Sequence, residues 1–123
     1  MSGFSNLGDL IRRDRDLNKV AIIDLGGEQA SREFNYAWLD AMANGVARAL
    51  TRRGFARGER VAILSANRAE YLAAYYGIMR ADLVAVPVNF KFPRQTIHFS
   101  RPPSVTPIPQ TASCPASPPI RSN

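Results

Sequence analysis

The chain is poor in the residues that build cross-links and metal centres. Its 123 residues include one cysteine, Cys114, and one histidine, His98. A single cysteine excludes an intrachain disulfide framework. A structural zinc site needs about four Cys or His ligands, so that class is excluded too. A Ser-His-Asp or Cys-His site would have to use His98, which has no companion motif and reads as an ordinary boundary histidine. No apolar run approaches the length of a membrane helix, and the start, Met1-Ser2-Gly3-Phe4, meets arginines at 12, 13 and 15 before any signal-like apolar stretch. A cytoplasmic protein without a transmembrane segment is the expectation.

Proline and acid are unevenly spread. Residues 1–92 hold one proline, Pro87, and the remaining eight follow from Pro93 onward, while every acidic residue lies at or before Asp82. A globular body, residues 1–99, is therefore expected to give way to a disordered Pro-rich tail, residues 100–123. The net charge of +6 invites a nucleic-acid partner. Its distribution speaks against one, because the cations of the body are interleaved with acids as on a solvated surface. The dense trio Arg52, Arg53 and Arg57 falls at a predicted helix end, where cations complement the helix dipole.

Periodicity predicts an α/β body. Ser5 to Arg13 reads as a short helix, with Leu7, Leu10 and Ile11 on one face. Val20–Asp24 and Arg32–Tyr36 read as two strands of a hairpin turned at Gly26-Gly27. Trp38 to Arg53 is the clearest helix, its stripe formed by Leu39, Met42, Ala43, Val46 and Leu50, with Gly54 placed for a left-handed terminus. Val61–Leu64 and Leu83–Val86 read as buried parallel strands, the second ended by Pro87. Between them a helix through Leu72, Tyr75, Tyr76 and Met79 is expected to start at an Asn67/Glu70 capping box. Strand, helix and strand make a βαβ unit. Tyr71, Tyr75 and Tyr76, at helical spacing, read as packing residues rather than a stacking platform.

Phosphate-binding signals are missing. There is no Gly-x-x-x-x-Gly-Lys-Ser/Thr string, and Ser65-Ala66-Asn67-Arg68 after the first strand of the unit holds no glycine. From the residues alone the reading is part of a cytosolic α/β domain.

Longer strings carry a resemblance. Tyr36-Ala37-Trp38-Leu39-Asp40 resembles a "(T)Y-x-E-L" helix start. Ala47 to Leu50 followed by Arg53-Gly54-Phe55-Ala56-Arg57-Gly58-Glu59-Arg60-Val61-Ala62-Ile63 resembles "A-x-x-L-x-x-x-G-(V/L)-x-x-G-D-R-V-A-I". Asn67-Arg68-Ala69-Glu70-Tyr71 resembles "N-x-x-E-(Y/F)", and Arg80-Ala81-Asp82-Leu83-Val84-Ala85-Val86-Pro87-Val88-Asn89 resembles "(R/K)-A-G-(A/L)-V-x-V-P-V-N". These are segments of the AMP-forming acyl-CoA synthetases, the adenylate-forming ligase superfamily, in the family's order. Asp82 stands at the usual glycine, where a turn needing positive φ would be strained.

The resemblance covers about residues 5–99. It implies a partial N-terminal subdomain of the adenylate-forming fold, from a carboxylate–CoA ligase that uses ATP, Mg and CoA, makes an acyl-adenylate and passes the acyl group to CoA. It also implies that the phosphate loop with its lysine, the acid on the ribose, the acyl pocket and the C-terminal catalytic lysine come later than the matched motifs. No catalytic, cofactor-binding or metal residue is therefore carried over, and the chain alone is expected to be inactive and to need the rest of the ligase to complete its fold. Sheet edges and apolar helix faces left without partners imply marginal stability and aggregation. The abrupt change near Ser100 is what a GC-rich gene gives out of frame, so a frameshifted or truncated product is expected; translating the other frames beyond codon 99 tests it. Two other readings stand beside this one: a non-catalytic α/β interaction module docking through its basic Pro-rich tail, and an unrelated nucleotide-binding α/β enzyme, against which the missing glycine loop counts.

Overall fold

A computed structural model describes residues 6–89 and Lys91. The elements run β1 (Val20–Asp24), β2 (Arg32–Asn35), α1 (Tyr36–Arg52), β3 (Arg60–Leu64), α2 (Ala69–Arg80) and β4 (Val84–Val88). β1 and β2 form the antiparallel hairpin, with Asp24 opposite Arg32 and an irregularity between Val20 and Ile22. β3 and β4 form a separate parallel pair joined by α2, in which Ala62 lies beside Val86. The α/β architecture with its βαβ unit is as the sequence predicts. The Pro-rich tail, His98 and Cys114 lie outside the described residues.

α1 begins two residues earlier than its stripe suggests, because Asn35 caps it: the Asn35 side-chain oxygen accepts from the Trp38 amide at 2.8 Å. The Phe34 and Trp38 rings meet across this cap at 4.2 Å. The helix ends as the glycine predicts, with Gly54 at φ +78°. Its stripe faces inward on two clusters. Leu50 packs with Val61, Ile63, Ile78 and Leu83. Leu39 packs with Ile11 and Ala73, and Ile22, Trp38, Met42 and Tyr76 lean on them. Tyr71 and Tyr75 lean on the first cluster, so all three tyrosines are packing residues.

Four local readings are corrected. The helix predicted over residues 5–13 is absent among the described residues; the Asn6 side chain accepts from the Gly8 amide at 2.9 Å and holds a turn instead. Gly8 lies so close to α2 that a Cβ there would come within 2.6 Å of the Tyr76 carbonyl oxygen and the Arg80 nitrogen. The Asn67/Glu70 capping box does not form, because α2 starts at Ala69 and leaves Asn67 one position too early to cap it. β4 runs through Pro87 rather than ending before it; Pro87 sits opposite Ile63 on a strand paired on one side among the described residues, where a missing donor is tolerated. Burial of the parallel pair is one-faced: Val61 and Ile63 are buried, whereas Val84 is 48% exposed.

Candidate functional site

Two charged clusters are the most developed polar constellations among the described residues. The first forms where the end of β1 meets the start of α2. The Asp24 side chain is 4% exposed. One carboxylate oxygen, Oδ2, accepts from Arg32 Nη2 at 2.9 Å and from Arg68 Nε at 3.1 Å, and lies 3.4 Å from the Ala69 amide. The other, Oδ1, accepts from the Gly26 amide at 3.0 Å. Asp24 thereby does from another element what Asn67 does not do locally, receiving the first amide of α2. Hydrogen bonding from Arg32, then from Gly26, Arg68 and Ala69, holds the Asp24 carboxyl far below the usual carboxylate range. Arg32 also pairs with Glu70 at 3.1 Å, and its guanidinium lies over the Phe34 ring, 4.9 Å from the centroid.

The turn between β1 and β2 brings these partners together. Gly26 at φ +73° lies so near the following loop that a Cβ would meet the Gln29 carbonyl oxygen at 2.5 Å. The glycine pair is explained by turn geometry, as the sequence implies.

The second cluster is centred on Arg80, whose side chain is 6% exposed. Its Nε donates to the Gly8 carbonyl at 2.6 Å, and its Nη1 to the Asp40 carbonyl at 3.0 Å and to Asn44 Oδ1 at 2.9 Å. Nη2 pairs with Asp40 Oδ1 at 2.8 Å. Arg13 grips the same carboxylate through two nitrogens, at 2.9 and 3.1 Å. Burial pushes the Asp40 carboxyl up, and the hydrogen bonds from Arg13 and Arg80 together outweigh it, leaving it below its ordinary value. One guanidinium thus joins the N-terminal segment, α1 and α2.

In both clusters the charged groups are paired with one another. A carboxylate held ionised by two guanidiniums is a poor base. Among the described residues no three His, Cys, Asp or Glu side chains are grouped to hold a metal ion. A triphosphate fits poorly here: the turn after β3 has no glycine, and Arg32 and Arg68 are already engaged by Asp24 and Glu70. A cleft of about 530 Å³ is lined by Ile11, Arg12, Asp14, Asp16, Lys19 and Tyr36. Its cations alternate with acids, and Arg12 is paired with Asp14 at 2.6 Å. Arg52, Arg53 and Arg57 are exposed around the end of α1, where the dipole explains them. No described helix is long and apolar enough to cross a membrane.

The sequence singles out none of Asp24, Arg32, Arg68, Asp40 or Arg80. A signal exists in Asp24 ending a strand before two glycines, but its partners lie up to 45 positions away.

Comparison with known proteins identifies a family. The family described as AMP-binding enzyme matches residues 12–100. The long-chain-fatty-acid–CoA ligase FadD13 of Mycobacterium tuberculosis is 38% identical over 66 residues, covering 54% of this chain and 13% of the ligase. A medium/long-chain-fatty-acid–CoA/3-oxocholest-4-en-26-oate–CoA ligase of Mycobacterium marinum is 34% identical over 89 residues, or 71% of this chain and 15% of that one. The crystal structure of ATP-bound MatB from Rhodopseudomonas palustris superposes with a TM-score of 0.61 at 30% identity, over 71% of this chain and 17% of MatB. The N-terminal domain of FACL13 from M. tuberculosis, in an inhibitor-bound crystal structure, matches at a TM-score of 0.52 and 37% identity, covering 55% of this chain and 17% of that domain chain. The chain spans only a small fraction of the length of each.

Proposed function

Since this chain belongs to the AMP-binding enzyme family, we propose that it supplies scaffold, and no reacting group, to an ATP-dependent carboxylate–CoA ligase. The parent activity in this reading is conversion of a carboxylic acid to its CoA thioester through an acyl-adenylate, with ATP, Mg and CoA bound by parts of the ligase beyond the residues described. A cytoplasmic location goes with ATP and CoA as substrates. The chain by itself is inactive and relies on the remaining ligase sequence to complete the domain.

One observation carries the reading. The chain matches ATP-bound MatB over 71% of its length at 30% identity, while the charged side chains of its two clusters are paired with one another. Charges committed to joining elements build a frame and leave nothing to grip a nucleotide.

The test has two arms. Purified chain is incubated with Mg-ATP and a panel of fatty and aromatic acids, and pyrophosphate exchange is followed; no turnover above the protein-free control is expected. In the second arm, the matching stretch of FadD13 is replaced by this chain's residues, and ligase activity is expected to persist. Exchange catalysed by the isolated chain overturns the claim of inactivity, and a folded but inactive chimera overturns the claim of a shared scaffold.

A further inference from the structure

One end of the molecule gathers cations that have no acidic partner. Arg48 and Arg52 lie one turn apart at the end of α1, Arg53 caps it, Arg57 follows in the loop and Arg60 opens β3. All five are exposed. Arg13, Arg32, Arg68 and Arg80 are each bound to an aspartate, whereas none of these five is ion-paired among the described residues. The interleaving with acids seen elsewhere breaks down here. Between Asp40 and Glu70 the sequence has one acid, Glu59, and its carboxylate accepts from the Ala56 amide at 3.0 Å. The dipole of α1 favours cations at this end but offsets only about half a charge.

Apolar side chains adjoin the arginines. Arg57 lines an open cleft of about 390 Å³ together with Leu7, Tyr75, Met79 and Val84. Leu7 is 63% exposed and Val84 48%. The strand register sets Arg60 beside Val84. Asp82 is the one acid in the cleft wall, so five arginines face two acids, Glu59 and Asp82.

The fitting occupant offers carboxylates around an apolar residue. A guanidinium takes a carboxylate through two parallel bonds, and no lysine lies among the five cations. Arginine beside large apolar side chains is the composition of a protein interface. A concave cleft admits a protruding side chain, whereas a flat bilayer would span it. A nucleic-acid strand brings bases to stack, and the exposed aromatic ring among the described residues, Tyr36, lines a different cleft. The chain's own tail is no candidate, because no acidic residue follows Asp82.

We propose that this end of the molecule, with Arg57 and Arg60 beside Leu7 and Val84, docks an acidic segment of a partner protein that carries an apolar anchor. The arginines stand at the N-terminal ends of β3 and β4, whereas open α/β sheets bind small ligands beyond the carboxyl ends. The docking therefore goes beyond the ligase reading and does not depend on it.

Fluorescence anisotropy on the full chain tests this, with a labelled peptide of alternating glutamate and leucine as the probe. Arg57→Glu combined with Arg60→Glu is expected to weaken binding about tenfold. Arg15→Glu combined with Lys19→Glu makes the same change in net charge at exposed side chains of the other cleft, and should leave affinity unchanged. Val84→Ser should weaken binding, and a peptide with glutamine for glutamate should not bind. Absence of binding by the parent chain, or equal losses in the two charge-reversed variants, overturns the proposal. So does tighter binding to phosphatidylserine vesicles or single-stranded DNA that is lost with Arg57 and Arg60, which would make a lipid or a nucleic acid the occupant. A parent dimer by gel filtration that the same reversal dissociates overturns it too, by making a second copy the partner. If circular dichroism shows the Arg57→Glu, Arg60→Glu chain to be unfolded, Arg57→Gln with Arg60→Gln takes its place and is read the same way.

Discussion

Gly77→Ala probes the contact between α1 and α2 where Gly77 lies against Ala43 and Val46. A methyl group at position 77 would lie 2.5 Å from Val46 Cβ and 2.7 Å from the Ala43 carbonyl oxygen. One of these atoms is α1 backbone and the other is fixed to it, so neither can swing aside. Restoring ordinary carbon contact requires the helices to part by about 1 Å, and a gap of that size forfeits a quarter to a half of the attraction across it. The cluster of Leu39 with Ala73 spans this junction. Overpacking of this kind costs about 1–3 kcal/mol. Helix propensity works in the other direction, favouring alanine over glycine by about 1 kcal/mol. The steric cost wins, because backbone atoms cannot yield, and the expected net loss is up to about 2 kcal/mol. Gly45→Ala on α1 separates the two effects, because a Cβ there meets nothing within 4 Å. Only propensity remains, and that variant should gain about 0.5–1 kcal/mol. Urea titration of the full chain, followed by far-UV circular dichroism, reads both as midpoint shifts of opposite sign. A Gly77→Ala midpoint at or above the parent's, in a series where Gly45→Ala rises, refutes the reasoning.

Three further outcomes are expected from the same titrations. The Asp24 carboxyl is depressed in the folded state, so its contribution is fully present above the unfolded value of about pH 4 and is lost as pH falls from there toward the lower folded value. Asp24→Asn should lower the midpoint at neutral pH and flatten its fall in acid; an unchanged acid slope would count against the Arg32–Asp24–Arg68 cluster. Arg80→Ala removes the partner of Gly8, Asp40 and Asn44 from a nearly buried site and should cost about 3 kcal/mol, since one buried charge loses half its compensation. Arg80→Lys should recover less than half of that loss, because an ammonium group cannot reproduce the guanidinium fork. Asp82 has φ +58°; Asp82→Gly should raise stability by up to about 1 kcal/mol and Asp82→Val should lower it by about 1–2 kcal/mol.

What could be read from the sequence was what depends on near neighbours. The α1 stripe and the Gly54 terminus each follow from residues within a turn or two and are found where expected, whereas the positive φ at Asp82 is anticipated only by the family's glycine at that position. Leu7, Leu10 and Ile11 supply an equally regular stripe, yet no helix forms there among the described residues and, of the three, Ile11 alone is buried. The deciding contacts there come from α2, through Arg80 and the backbone against Gly8, which no local pattern encodes. The start of α2 fails for the same reason: Asn67 and Glu70 have capping spacing, but the Ala69 amide faces Asp24, and Glu70 is drawn to Arg32.

These failures share a cause that bears on function. Both charged clusters connect segments far apart in sequence, Asp24 with Arg68 and Gly8 with Arg80, and each commits its ions to holding those segments together. An active site spends charge differently, leaving donors aimed at a position that only a substrate fills. Most donors and acceptors of the two networks are paired within them and fix geometry, although Arg32 Nε and Arg80 Nη2 are buried without a hydrogen-bond partner. The long-range contacts hidden from the sequence are therefore those that fix how these segments sit against one another.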